Sequence, residues 1–340
     1  MREPAFWWRE PGAAACALAP LATAYGCFAA RRLKQAGRRA AVPVFCIGDP
    51  TVGGAGKTPT ALAVARLLTQ AGERPMFLTR GYGGHEPGPV RVDLAVHRAA
   101  NVGDEPLLLA RAAPTIVARA RVEGASMAAT AGASVIVMDD GFQNPALAKD
   151  FAVLVIDSGR GVGNGMVTPA GPLRAPLAAQ LDCAQAMLVI GPSADADDVV
   201  AQARTRRMPV FCAELKPDAE SVAGLRGARV LAFAGIGSPE KFFATLQAAG
   251  LTVAATRAFA DHHRYTRAEA DRLCEEAKRD GLVLVTTEKD IVRMQRESAT
   301  AELAAQARAL PVTLELEDEP GLRSLLLERL AAARAARSTQ

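Results

Sequence analysis

The chain has 340 residues, half of them hydrophobic and 22% charged, enough for about two domains with buried cores and unlike a disordered or collagen-like polymer. Aromatic residues make up only 5%, which argues against a base-stacking nucleic-acid platform. Six scattered cysteines (Cys16, Cys27, Cys46, Cys183, Cys212, Cys274) form no CxxC pair, which excludes a zinc ribbon and a disulfide scaffold and fits a reducing cytosol.

The net charge of +4 is unevenly placed. Residues 1–41 hold seven basic side chains (Arg2, Arg9, Arg31, Arg32, Lys34, Arg38, Arg39) against Glu3 and Glu10, a net +5, so the rest of the chain is nearly neutral. A neutral body is not expected to bind nucleic acid, and nothing in the pattern calls for a protein partner. From Pro11 to Ala30 there is no charge, and Arg31-Arg32-Leu33-Lys34 follows at once. Twenty uncharged residues are about enough to cross a bilayer core as a helix. The run is Ala-rich and holds Pro20, and acidic residues stand where a signal peptide would be basic. We read it as a membrane-associated arm, with Phe6, Trp7 and Trp8 at headgroup level and the basic cluster facing anionic lipid. The alternative is an Ala-rich helix buried on the body.

Beyond residue 41, strands expected at Val42–Ile47, Arg74–Thr79, Thr115–Ala118, Ser134–Met138 and Phe151–Ile156 alternate with helices at Lys57–Ala71 and Arg121–Ala131. Apolar strands separated by helices imply an α/β fold with a parallel sheet covered on both faces. A Gly/Pro-rich stretch, 159–176, then breaks the rhythm. Further strands are expected at Ala186–Ile190, Pro209–Ala213, Arg229–Ala234, Thr252–Ala255 and Leu282–Thr286, and a last helix at Pro320–Arg337. The expected units are therefore an arm at 1–41, a nucleotide-binding domain at 42–158, a second, smaller α/β domain at 159–318, and a terminal helix, 319–340, free to pack on either.

The first expected strand runs into Thr51-Val52-Gly53-Gly54-Ala55-Gly56-Lys57-Thr58. Glycines let a chain wrap a polyphosphate with backbone N–H groups pointing inward, and the following helix adds its positive end. Lys57 would then reach the β/γ-phosphates and the Thr58 hydroxyl would bind Mg²⁺. A phosphate-loop (P-loop) consensus asks for Gly where Thr51 stands. Val135-Ile136-Val137-Met138-Asp139-Asp140 places two carboxylates at the end of a buried strand, where such enzymes hold magnesium; a surface turn is the alternative, since Gly141 follows. No Asn/Thr-Lys-x-Asp guanine motif is present, and Val52 stands where partition-type ATPases carry an extra lysine. That leaves a small-molecule kinase or a metabolic ATPase. For the base, Gly103-Asp104-Glu105-Pro106 and Asp261-His262-His263 are the candidates, since a carboxylate paired with imidazole takes a proton near neutral pH. A helix cap (Asp104) and a structural loop histidine (His262) are the alternatives.

An ordered set of blocks resembles the tetraacyldisaccharide 4'-kinase family along nearly the whole chain: Phe6-Trp7, Thr51–Pro59, Arg80-Gly81-Tyr82-Gly83-Gly84, Gly103–Pro106, Asp139-Asp140-Gly141-Phe142-Gln143, Pro169–Arg174, Gly235-Ile236-Gly237-x-Pro239, Phe259-x-Asp261-His262 and Thr286-Thr287-Glu288-Lys289-Asp290. Thr at the first loop position is itself usual there. The resemblance implies transfer of the ATP γ-phosphate to the 4'-hydroxyl of a tetraacylated glucosamine disaccharide 1-phosphate, giving lipid IVA in lipid A (lipopolysaccharide) biosynthesis. It implies Mg²⁺, work at the cytoplasmic face of the inner membrane, and two α/β domains facing across a cleft, joined by a short β linker. It also implies Asp104 as base with His262, Asp139 and Asp140 serving metal and phosphates, Arg80 and Tyr82 lining the acceptor or phosphate side of the cleft, and Glu105 at the substrate. Asp49 stands where Asn is usual, Asn144 where His is usual, and Ala175 where an active-site Glu is usual. The competing function is a membrane-associated nucleotide switch or ATPase that makes no phosphorylated lipid.

Overall fold

A computed structural model describes residues 3–338, so Arg2 of the basic arm and the last two residues of the expected terminal helix lie outside it. In chain order the strands are β1 (Val44–Gly48), β2 (Pro75–Thr79), β3 (Val90–Arg91), β4 (Thr115–Val117), β5 (Val135–Asp139), β6 (Phe151–Asp157), β7 (Ala186–Ile190), β8 (Val210–Pro217), β9 (Arg229–Ala234), β10 (Thr252–Ala258), β11 (Val283–Thr287), β12 (Arg308–Leu310) and β13 (Val312–Leu316). Nine of them form one sheet in the order β13-β8-β7-β6-β1-β5-β2-β4-β3, parallel except for its edge strands β13 and β3. The other four form a parallel sheet, β10-β9-β11-β12.

The central strands are buried along their whole length, as apolar runs such as Phe45-Cys46-Ile47 and Val135–Met138 require. On one face lie the helix Lys57–Gln70, through Ala61, Val64, Leu67 and Leu68, and the C-terminal helix Glu319–Ser338, through Leu322, Leu326 and Leu330. On the other lie Ala125 and Ala128 of the helix Arg121–Thr130, Leu181, and Val199 and Ala203. The C-terminal helix thus returns to the first sheet, where Arg337 forms a two-pronged ion pair with Asp150 at 2.7 and 2.8 Å.

The division expected at 159–176 does not coincide with the change of sheet. β7 and β8 pair in parallel with β6, and β13 comes back from the far end of the chain to pair with β8. The smaller sheet is confined to residues 229–310, and β8 and β13 are the outgoing and returning strands between the two lobes. The Gly/Pro-rich stretch instead receives the N-terminal arm: Asn164 N donates to Trp7 O at 2.8 Å and Asn164 Nδ2 to Phe6 O at 3.5 Å.

The arm is a short turn of helix, Ala5–Trp8, and a long helix, Ala13–Leu33. Trp7 was expected at headgroup level, but it is only 8% exposed and its Nε1 donates to Pro169 O at 3.0 Å, so it anchors the arm to the body. The Arg160 guanidinium lies 4.8 Å from the Trp8 ring centre, and Trp8 Nε1 donates to Glu3. The long helix buries only Ala15, Ala22 and Gly26, small residues on one stripe. Leu21, Tyr25 and Phe28 stand 63, 45 and 56% exposed, and no wholly buried helix looks like that.

Candidate active site

β1 ends at Gly48, and the loop that follows closes on the helix Lys57–Gln70, whose N-cap Gly56 takes φ +87°, a conformation costly for any residue with a Cβ. The sheet thereby delivers Lys57 and Thr58 to the same edge as Asp139, since Ile47 and Asp139 are register partners on adjacent parallel strands. Thr58 Oγ1 donates to Asp139 Oδ2 at 3.1 Å. Lys57 Nζ donates to Asp49 at 2.5 Å and to Gly53 O at 3.3 Å. Around it, Thr51 and Ala55 are buried, Val52 is exposed with its N–H on Pro172 O, and Gly53 and Gly54 form the tip.

Sequence reasoning gave no role to Asp49 or Arg174. Asp49 is fully buried, and Arg174 Nε lies 3.2 Å from its Oδ1. The Nε hydrogen is directed to Thr51 O at 2.7 Å, so Asp49 Oδ1 has the charge nearby but no hydrogen bond. Burial and the Asp49 and Asp140 charges act oppositely on Lys57, and the charges win, holding it above its ordinary value. Ala175 is buried and offers only its carbonyl, to Gln180 at 2.7 Å; Asn144 caps a loop by accepting from Ala146 N at 2.8 Å.

Asp139 Oδ1 is buried without a hydrogen-bond partner, and burial, reinforced by the Glu105 charge, pushes this carboxyl up to about 7. A buried carboxylate oxygen left unpaired is costly unless a cation takes it. The pair of Thr58 hydroxyl and Asp139 carboxylate therefore fits magnesium, which needs only one or two protein ligands beside phosphate and water. Among the described residues no group of three or more His, Cys, Asp or Glu side chains is arranged so that it could hold a metal ion by itself. Asp140 points elsewhere: it takes φ +53°, and its carboxylate lies 3.7 Å from Arg174. Burial raises Asp140, but Lys57, Arg174, Arg121 and Arg80 outweigh it and lower it.

The second cluster spans both lobes. Asp104 begins the helix Asp104–Ala112 and is buried; Gly103 holds the cap position, so Asp104 is not the cap. A Cβ on Gly103, at φ +93°, would lie 2.4 Å from Tyr82 O, so only glycine lets the 81–84 loop pack so close to Asp104. Asp104 Oδ2 accepts from His262 Nδ1 at 3.2 Å and from Arg293 Nε at 2.7 Å. The His262 ring sits 4.9 Å from the ring of Tyr82, which is 62% exposed. Burial raises Asp104, but the His262 hydrogen bond and the Arg293 and Lys289 charges hold it well below the usual carboxylate range. Burial lowers His262, and the Asp104 hydrogen bond with the Asp104, Asp261 and Glu105 charges lifts it above its ordinary value.

Glu105 Oε1 accepts from Lys289 Nζ at 2.7 Å. Lys289 and Arg293 lie four apart on the helix Glu288–Met294, so one face of it meets Asp104 and Glu105 together. That spacing was readable beside the Thr286–Asp290 block, although nothing in it named the partners. A Cβ on Gly237 would lie 3.6 Å from Asp261 and 3.9 Å from Gly54 N, so the Gly237 turn sits against both the loop bearing His262 and the tip of the phosphate loop. Arg80, at the end of β2, is exposed; its charge reaches Asp140 and Arg121. The structure thus brings Asp104, Glu105, Tyr82 and His262 together at the seam, and Lys57, Thr58 and Asp139 at the carboxyl ends of the central strands β1 and β5.

The family model described as tetraacyldisaccharide-1-P 4'-kinase matches residues 14–331. Proteins named tetraacyldisaccharide 4'-kinase from Rhodopseudomonas palustris (strain HaA2) and Nitrobacter winogradskyi are 54 and 52% identical over 334 residues, covering 98% of this chain and 98 and 99% of theirs. A crystal structure titled as an "apo" form of LpxK from Aquifex aeolicus in complex with ATP has a TM-score of 0.71, with 23% identity over 93% of this chain and 99% of that one; it shows the shared fold.

Proposed function

The chain belongs to the tetraacyldisaccharide-1-P 4'-kinase family, and on that premise we propose how its own residues carry the ATP-dependent phosphorylation of the disaccharide 4'-hydroxyl in lipid A biosynthesis. The amides of residues 53–58 and Lys57 hold the β/γ-phosphates, with Lys57 leaving Asp49 for the nucleotide. Thr58 and Asp139 would hold Mg²⁺, which when bound neutralises charge on the phosphates. Arg174 and Arg80 add positive charge at the same edge, and Asp140 keeps Arg174 in place.

Asp104 receives the acceptor hydroxyl, and Tyr82 and Glu105 line the acceptor side. An aspartate held this far below its usual range is charged throughout the neutral range but is a weak base. Phosphoryl transfer tolerates that, because its loose transition state draws the hydroxyl proton off late and rewards orientation more than basicity. His262, whose ring is held above its ordinary value, shares the proton with Asp104. The observation that carries this reading is the bond between Asp104 of one lobe and His262 of the other, on a loop that shares the Gly237 turn as neighbour with the phosphate-loop tip.

An acylated acceptor resides in a membrane, and the exposed face of the helix Ala13–Leu33 suits that setting. Among the described residues it is the one helix long and apolar enough to cross a bilayer, and only 17% of its apolar window is buried. Exposed Arg31, Arg32, Lys34, Arg38 and Arg39 follow Phe28 and suit anionic headgroups on the cytoplasmic face of the inner membrane. The test is transfer of radiolabel from γ-labelled ATP to the disaccharide lipid by the purified protein with magnesium. Labelled lipid is expected; ATP hydrolysis with no labelled lipid would favour the nucleotide-switch reading instead.

A further inference from the structure

We propose that Arg293 is a positioning residue for phosphoryl transfer: carried by the second lobe, it fixes the Asp104 carboxylate of the first lobe in its working orientation. The inference rests on the reading of Asp104 as the group that receives the acceptor hydroxyl. Arg293 Nε donates to Asp104 Oδ2 at 2.7 Å, the same oxygen that His262 Nδ1 reaches at 3.2 Å, while Oδ1 meets only the Glu105 N–H at 3.0 Å. One carboxylate oxygen is thus saturated by the second lobe, and the other is left for the acceptor.

Two of the three guanidinium nitrogens of Arg293 are engaged, Nε by Asp104 and Nη1 by its own lobe. Its Nη1 donates to Asp290 at 2.9 Å and to His263 O at 3.3 Å. Asp290 is fully buried and accepts in addition from Tyr265 OH at 2.8 Å, Thr287 Oγ1 at 2.6 Å and Gly235 N at 3.1 Å. A Cβ on Gly235 would come within 3.0 Å of Arg293 Nη1, so the guanidinium passes where a larger residue would crowd it. The chain of contacts therefore runs from the core of the smaller sheet, through Tyr265, Asp290 and Arg293, to the carboxylate at the seam.

Stability alone is a poor explanation for this arrangement. Buried charge pairs are often no better for folding than apolar residues of the same volume, because desolvation offsets their attraction. The Arg293 Nη2 atom stays buried with no hydrogen-bond partner, an additional cost. Meanwhile Val292, on the same helix, already seals the seam by packing with Val92, Val102, Leu107 and Val117. An apolar contact holds the lobes, and the guanidinium serves the carboxylate.

The test compares Arg293→Gln, Arg293→Lys and Asp104→Asn with wild type in steady-state lipid phosphorylation across the acid-to-neutral pH range. The charged and titratable groups facing Asp104 are His262 and Asp261 from one loop, Arg293 and Lys289 from one helix, Tyr82 from another loop, and Glu105 beside it; Arg293→Gln alters only one of them. Arg293→Gln is expected to lower kcat by up to about 10²-fold, the cost of a misplaced reacting group, with KM for MgATP unchanged. Losing this positive charge also moves the acid limb of kcat/KM to higher pH, and Arg293→Lys recovers part of both effects. If Arg293→Gln fails to fold, Arg293→Lys alone decides, since a changed fork geometry should still lower kcat at constant KM. Wild-type kcat and an unmoved limb, with Asp104→Asn inactive, would overturn the positioning role and leave the reading of Asp104 standing. Wild-type kcat in Asp104→Asn would overturn both.

Discussion

Replacing Asp104 by Asn keeps the shape of the side chain and removes its charge. Two charge-assisted contacts weaken, those from Arg293 at 2.7 Å and His262 at 3.2 Å. Such bonds contribute about 1.5–3 kcal/mol each. Arg293 keeps Asp290, so the stability loss should stay at about 2–3 kcal/mol and the protein should fold. The loss in catalysis is separate. Removing a positioned proton acceptor lowers rates by about 10²–10⁴-fold, or about 3–5 kcal/mol of barrier. Because Lys57, Thr58 and Asp139 are untouched, KM for MgATP should hold. Initial rates of lipid labelling over a range of ATP concentrations, alongside thermal unfolding, separate the two effects. A folded Asp104→Asn protein with kcat within a few-fold of wild type would refute the reasoning.

Lys57→Ala should lower kcat by at least about 10²–10³-fold, the usual effect of deleting one donor to developing charge; near-normal turnover would remove the phosphate-loop assignment. Asp139, pushed up to about 7 by burial first and then by the Glu105 charge, must lose its proton to take a cation, so magnesium affinity should weaken as pH falls through neutrality. Titrations of magnesium with nucleotide at several pH values check this, and Asp139→Asn should flatten the dependence. Leu21→Glu with Phe28→Glu puts two charges on the exposed helix face, and protein should move from membrane to soluble fractions without loss of fold, as read by flotation with anionic vesicles. Unchanged partitioning would place the membrane contact elsewhere.

The local signals in the sequence were strong where one strand, one loop and one helix make the structure by themselves. The run from Val44 to Thr58 needs only its own glycines and its own apolar strand, and Asp139 needs only the buried run before it. What depends on distant pairing left little trace. β7 and β8 look like the strands of a second sheet, because nothing in Ala186–Ile190 says that its neighbour is Phe151–Asp157. The Gly/Pro-rich stretch reads as a domain boundary, yet its turns receive Trp7 through Asn164 N and Pro169 O. β13 was not anticipated at all; its register with β8 brings the chain back from the other end of the sequence. Asp104 and His262 could be named as candidates, while Arg293 and Lys289 could not, since their partners lie across the seam between the lobes.

A crystal structure with magnesium and a non-hydrolysable ATP analogue tests the central claim most directly. The account predicts Lys57 released from Asp49 onto the terminal phosphates, with the metal about 2.1 Å from Thr58 Oγ1 and Asp139 bound to it or to one of its waters. A triphosphate lying away from residues 53–58, or a metal with no link to Thr58 and Asp139, would contradict it.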